Sequence, residues 1–154
     1  MKGHPELIKT LNDLLAEELT AINQYMVHSE MCDNWGFEKL HKAIEKQAVD
    51  EMKHAEALIG RILFLEGSPT VSRLNEIHVG KNVQEMVNND GAAEAAAVRM
   101  YNDAIRQAVE VKDDGTRDLL TKILKDEEAH LDWDEQQRDQ IGQMGIENYL
   151  AVQI

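Results

Sequence analysis

Six side chains capable of binding metal recur in this chain at one fixed offset, and few folds can bring such a set together. Glu18, Glu51 and His54 form the first group, and Glu94, Glu127 and His130 the second. Adding 76 to each number of the first group gives the second. Tyr25 and Tyr101 keep the same offset, as do Ala21 and Ala97. In each group a Glu-x-x-His unit follows a further glutamate by 33 residues. Four carboxylates and two imidazoles in two matched halves are what a two-metal site inside a helical bundle requires.

Helical periodicity supports a bundle. Pro5 suits the first turn of a helix, and Leu7, Leu11, Leu14 or Leu15, Ile22 and Tyr25 then mark one face. Asp33-Asn34-Trp35-Gly36 breaks this run. A second helix carries Leu40, Ile44, Ala48, Leu58, Ile62 and Leu65 and stops near Gly67-Ser68-Pro69. From Glu66 to about Lys81 the periodicity fades, as expected of a long crossover. A third helix holds Val83, Met86, Val87, Ala97, Val98, Tyr101 and Ile105. Asp113-Asp114-Gly115 predicts a tight turn, with Thr116 as the cap of the next helix. This fourth helix carries Leu119, Leu120, Ile123, Leu124 and Leu131, and Gly142 and Gly145 bracket its end. Ile146, Tyr149, Leu150, Val152 and Ile154 form a short apolar tail. The expected fold is all-α: a ferritin-like four-helix bundle of two antiparallel hairpins joined by a long crossover, plus a short C-terminal helix. Residues 1–154 are expected to form one di-metal domain.

Glu18 lies on the apolar stripe of the first helix, and Glu51, Glu94 and Glu127 interrupt the stripes of the other three. Buried unpaired carboxylates are costly, and four in one core repel each other unless cations lie between them. Residues at i and i+3 share a helix face, so Glu51 points with His54 and Glu127 with His130. The midpoint between Glu18 and Glu51 falls at the first turn, which sets those glutamates at similar heights. The midpoint between Glu94 and Glu127 falls a few residues before Asp113. With 17 Glu and 6 His in 154 residues, chance alone supplies about 0.7 Glu-x-x-His strings. A third one exists at Glu38 and His41, with Pro5 at the upstream position and no counterpart 76 residues later; it reads as helix surface. The shared offset singles out the other six.

Oxygen-rich ligation with one imidazole per metal suits iron or manganese better than zinc or copper. Glu51 and Glu127, each beside a histidine, are assigned as bridges, with Glu18 and Glu94 as terminal ligands. Bridging carboxylates hold two metals roughly 3.5–4 Å apart. Such a pair can pass one electron from each of two Fe(II) ions to oxygen or peroxide.

Composition narrows the setting. The net charge of −13 disfavours nucleic acid as a partner and favours cations. Cys32 is the only cysteine, which excludes an intramolecular disulfide and an all-cysteine metal site. No segment has the length and apolarity of a membrane span or signal h-region, so a cytoplasmic location is expected.

Several strings make the chain similar to the bacterioferritins along almost its whole length. They are Glu17-Glu18-Leu19-Thr20-Ala21-Ile22-Asn23-Gln24-Tyr25, Asp50-Glu51-Met52-Lys53-His54-Ala55, Arg61-Ile62-Leu63-Phe64-Leu65-Glu66-Gly67, Asp126-Glu127-Glu128-Ala129-His130 and Glu147-Asn148-Tyr149-Leu150. The resemblance implies a ferroxidase that turns Fe(II) into Fe(III) at an intrasubunit di-iron site. It also implies a mineral stored within a hollow shell of 24 subunits built from dimers, alone or with a second subunit type. A ferredoxin would donate electrons for iron release. Met52 matches the methionine that, with its symmetry-related copy, ligates a b-type or related haem at a two-fold interface. Its helical angle turns it about 100° from Glu51, out of the core, where Ile22, Met26 and Val49 can surround it; from periodicity alone, interface packing is the plainer role.

The chain departs from that family at two positions. Lys46 stands where a histidine often joins an aspartate matching Asp50 in an inner-surface iron site, and its charge would repel a cation. Leu58 stands where tyrosine is frequent and cannot donate an electron. Tyr25 and Trp133 are the remaining candidates for that task, against the plainer reading of aromatic packing. Two other classes compete: a ferritin-fold oxygen enzyme, such as a manganese catalase or a rubrerythrin-like peroxidase, and a haem-bearing shell subunit with an idle metal site. A single cysteine argues against the rubrerythrin type, and the full set of six ligands argues against the idle site.

Overall fold

Each strongly periodic segment is a helix in the computed structural model, which describes residues 1–154. Helix α1 spans Pro5–Asn34, α2 Glu38–Phe64, α3 Val83–Glu110, α4 Asp114–Met144 and α5 Ile146–Ala151. The crossover, residues 65–82, contains neither helix nor strand. Pro5 fills the first turn of α1, where its missing amide costs nothing. Gly36, at φ 81°, supplies the left-handed residue between α1 and α2.

The offset of 76 extends to the helix boundaries. Asn34 ends α1 as Glu110 ends α3, and Glu38 opens α2 as Asp114 opens α4. The second turn therefore lies at residues 111–113, and the midpoint between Glu94 and Glu127 falls at its start, between Glu110 and Val111. The expectation of a turn centred on Asp113–Gly115 with Thr116 as cap is corrected accordingly. Asp113 is the N-cap and accepts from the Thr116 amide at 3.0 Å, while Gly115 already lies in the helix. Asp-Asp-Gly reads as a turn, but an aspartate whose carboxylate meets the amide three residues on starts a helix equally well. At the other end, α4 continues through Gly142 and stops at Gly145, φ 79°.

Cross-bundle contacts establish the directions. Along α1 and α3, Thr10 meets Gln107, Glu18 meets Tyr101, Tyr25 meets Glu94 and His28 meets Asp90. Along α2 and α4, Asp50 meets His130, His54 meets Asp126 and Arg61 meets Thr116. In both series one number rises as the other falls, so each pair is antiparallel. The crossover makes this possible by running beside α1. Ser68 meets Asn12, Arg73 meets Asp13, Asn75 meets Thr20 and Glu17, His78 meets Gln24 and Gly80 meets His28. Asp13, Glu17, Thr20, Gln24 and His28 thus form a polar stripe at helical spacing on α1, and it holds the crossover in place. Gly80 approaches α3 so closely that a Cβ there would lie 2.5 Å from the Met86 amide nitrogen.

Two apolar clusters fill the bundle. One contains Leu11, Leu14, Leu15, Leu58, Ile62, Ala104, Leu120 and Ile123. The other contains Cys32, Leu40, Ile44, Val83, Met86, Val87, Ile141 and Tyr149. Tyr149 belongs to α5 and donates to Gln137 Oε1 at 2.7 Å, which fixes the short helix to α4.

Arg61 joins the end of α2 to the start of α4. Its Nε donates to Thr116 Oγ1 and its Nη2 to Asp113 Oδ1, both at 2.8 Å. Asp113 is therefore at once a helix cap and half of an ion pair. Asp113→Ala removes both and is expected to cost about 1–2 kcal/mol. A lowered denaturant midpoint, with unchanged helicity in native buffer, is the expected result; an unaltered midpoint would show the clamp to be inert.

Candidate metal centre

Glu18, Glu51, His54, Glu94, Glu127 and His130 are all buried, the most open being His130 at 6%. Their inward ligand atoms form two overlapping groups, each within 4.8 Å. One is Glu18, Glu51, His54 and Glu127, and the other is Glu51, Glu94, Glu127 and His130. Glu51 and Glu127 belong to both groups. They are the two carboxylates that the sequence assigned as bridges.

The two halves are related by an approximate two-fold. His54 Nδ1 lies 3.0 Å from Glu127 Oε1, and His130 Nδ1 lies 2.9 Å from Glu51 Oε1. His54 is 3.6 Å from Glu18, and His130 is 3.4 Å from Glu94. Tyr25 donates to Glu94 and Tyr101 to Glu18. The outer ring nitrogens are held in the same way: His54 Nε2 by Asp126 at 2.8 Å and His130 Nε2 by Asp50 at 3.1 Å. Each carboxylate aims the opposite imidazole Nδ1 at the centre, a support common to metal-binding histidines.

One inward atom of each residue has no hydrogen-bond partner: Glu18 Oε2, Glu51 Oε1, His54 Nδ1, Glu94 Oε2, Glu127 Oε1 and His130 Nδ1. The short histidine–glutamate distances do not have hydrogen-bond angles. Buried polar atoms are normally satisfied, so six orphans converging from four helices fit a donor set for cations.

Electrostatics reflect the crowding. Burial, then the charges of Glu18, Glu127 and Glu94, raise the Glu51 carboxyl well above the usual carboxylate range. Burial and Glu94 raise Glu127, against the pull of His54. Burial alone would lower His54, but Glu127, Glu18 and Asp126 overcome it and push the imidazole up to about 11. His130 is raised by Glu94, Asp50 and Glu127 against the same opposing burial. Every one of these shifts favours less negative charge at the centre.

A cleft of about 500 Å³ leads to these carboxylates between α1, α3 and the crossover. Glu17, Glu76 and His78 line its outer part, and Ala92, Ala93, Ala96 and Ala97 keep the α3 wall thin.

The remaining candidates lie around or away from this centre. Tyr25 touches it through Glu94, and Tyr101, its repeat partner, does so through Glu18. Both phenols are raised well above their ordinary value, first by burial. Trp133 instead packs against the cluster that contains Tyr149. Leu58 is fully buried in the other cluster. Lys46 ion-pairs with Asp50 at 2.8 Å. Met52, Met26 and Val49 are half exposed, while Ile22 packs partly against the core. His41 bonds to the Ser29 carbonyl and Glu38 pairs with Lys42, so that third string joins neither metal group. Sequence reasoning missed the roles of Asp50 and Asp126 in holding the histidines, although these residues share the offset of 76.

Residues 8–144 match the family described as ferritin-like domain. The bacterial ferritin of Pseudomonas aeruginosa is 44% identical over the full length of both chains. The bacterioferritin of Mycolicibacterium paratuberculosis is 41% identical over 98% of this chain and 95% of its own. The bacterial ferritin of Synechocystis is 43% identical over 100% of this chain and 99% of its own. On this domain match, these identities and its helical architecture, the chain belongs to the ferritin family and stands among its bacterioferritins, an iron-storage group.

Proposed function

We propose that this iron-storage protein is a ferroxidase whose catalytic centre is Glu18, Glu51, His54, Glu94, Glu127 and His130. The observation that carries the reading is the convergence of six orphaned ligand atoms on one buried point. Two Fe(II) ions are the substrate. Glu18 and His54 bind one, Glu94 and His130 the other, and Glu51 and Glu127 bridge them. Four carboxylates balance the charge of two divalent cations, which relieves the repulsion among them. Each Fe(II) gives up one electron. Dioxygen takes two electrons and two protons to become peroxide, or peroxide takes two electrons and two protons to become two waters. Tyr25 and Tyr101 orient the terminal carboxylates, and the cleft beside the crossover admits the ions. Chain residues 1–154 act as one di-iron domain in the cytoplasm.

The same reading extends to assembly and haem. Met26, Val49 and Met52 form a half-exposed apolar strip on the α1–α2 hairpin. Their counterparts 76 residues on are Asn102, Lys125 and Glu128, so this strip has no equivalent at the matching positions of the α3–α4 hairpin. Such a strip suits a symmetric contact with a second chain. Met52 from each chain would ligate a haem iron there, and the haem would supply an electron path for iron release, fed by a ferredoxin. Dimers of this kind build the 24-subunit shell, alone or with a second subunit type.

Glu127→Ala removes a bridge and is expected to abolish rapid Fe(II) oxidation in stopped-flow assays while far-ultraviolet circular dichroism stays unchanged. Unaltered kinetics would refute the centre. Wild-type protein should take up far more iron than two ions per chain; uptake that stops at two would favour a di-metal enzyme.

With His54 pushed up to about 11 and Glu51 and Glu127 raised, metal binding is expected to displace protons. Adding Mn(II) to the apo-protein in weak buffer at neutral pH should acidify it, and apparent affinity should fall as pH falls. Binding without proton release would contradict the assigned ligands.

Met52→Leu is expected to erase or shift the haem absorption bands and leave Fe(II) oxidation intact, since Glu51 and His54 face the core. An unaltered spectrum would reduce Met52 to interface packing.

A further inference from the structure

Away from the metal centre the internal two-fold is broken in one direction. Leu14, Leu58, Ala104 and Ile123 belong to one apolar cluster. Their counterparts at the offset of 76 are Asp90, Asp134, His28 and Gln47. All four counterparts are buried, at 2%, 2%, 0% and 6% exposure. The offset exchanges antiparallel helices, so an apolar layer on one side of the centre maps onto a polar layer on the other. Replacing a leucine–leucine–isoleucine–alanine layer by two acids, an imidazole and an amide is expensive unless each polar atom is satisfied.

Half of this layer is satisfied. Gly80 N–H donates to His28 Nε2 at 2.9 Å, which leaves the ring proton on Nδ1. That nitrogen donates to Asp90 Oδ1 at 2.9 Å, and Gln24 Nε2 donates to the same oxygen at 2.8 Å. His28 thus accepts through one ring nitrogen and donates through the other, and both of its contacts are used within this layer. The other half is unsatisfied. No protein donor reaches Asp134 Oδ1, Asp134 Oδ2 or Gln47 Oε1. Asp134 packs against α3 beside Asp90: its Cβ lies 3.5 Å from where a side chain on Gly91 would begin.

We propose that Asp134, both of whose buried carboxylate oxygens lack a partner, binds a hard divalent cation at a further interior position on the side of Asp90, distinct from the six-residue centre. The donors are oxygens, which suit Mn(II), Fe(II), Mg(II) or Ca(II) over softer metals. The Asp134 and Asp90 carboxylates together match a divalent charge. Burial, then the charges of Asp90 and Glu94, push the Asp134 carboxyl up to about 9 against the opposing pull of Arg138, the behaviour of a buried acid whose charge is under-compensated.

Cation binding at Asp134 requires no ferroxidase activity, and Mn(II), which is hard and resists oxidation in air, can probe it alone. Crystals of the full-length protein stripped of metal and soaked in Mn(II) should show an anomalous peak against the Asp134 carboxylate, in addition to the peaks at the six-residue centre. Titration in solution should show one more Mn(II) per chain than the centre accounts for. Asp134→Leu, which installs the residue at the symmetric position 58, should delete that peak and that equivalent only. Asp134→Asn keeps size and polarity but loses the charge, and the extra equivalent should be lost at Mn(II) concentrations that fill it in the wild type. A wild-type map whose only density beside Asp134 is water would overturn the proposal, as would an extra peak that persists in both variants. Loss of the peaks at the six-residue centre with the Asp134 peak present would instead refute the ferroxidase assignment and leave this one standing.

Discussion

Four glutamates face one another in a helical core, and the rest of the interior is arranged around that repulsion. An isolated buried carboxylate is strongly disfavoured, so the set persists only with compensation. Two imidazoles supply part of it, with His54 pushed up to about 11 by Glu127, Glu18 and Asp126 against its burial. Two tyrosines take up one oxygen each of Glu18 and Glu94. One inward atom per ligand stays unsatisfied, and cations are the natural complement of that unmet charge.

The approximate two-fold lets one small set of contacts be used twice. Tyr25–Glu94 and Tyr101–Glu18 are the same contact from opposite sides, as are His54–Asp126 and His130–Asp50. The departures from this symmetry give the subunit its directions. The crossover lies along α1, so the access cleft opens between α1 and α3. The outward apolar strip lies on the α1–α2 hairpin only. The polar layer around Asp134 lies on one side of the centre, and a leucine-rich layer lies on the other. A homogeneous repeat could bind two metals but would have neither a distinct outer face nor a distinct path inward.

The offset of 76, the 3.6-residue periodicity and the two prolines are local properties, so the sequence by itself determined the helices, the long crossover, the six candidate ligands and the pairing of Glu51 with Glu127 as the shared carboxylates. These are legible because i and i+3 positions share a face and because hairpin midpoints set relative height. Even the one misplaced turn was legible in the offset, since residue 110 repeats residue 34. Other features were decided only by tertiary structure. The polar stripe Asp13, Glu17, Thr20, Gln24 and His28 looks like ordinary solvated surface until a crossover about 55 residues away lies on it. No local spacing ties Asp50 to His130 or Asp126 to His54; the contacts form only when the opposite helices bring them together across the bundle. Asp134 sits between tryptophan and glutamate in a charged run; its spacing from Glu127 and its offset from Leu58 place it on the inward face, but which groups it meets there depends on which helices pack beside it, a long-range property that local spacing does not encode.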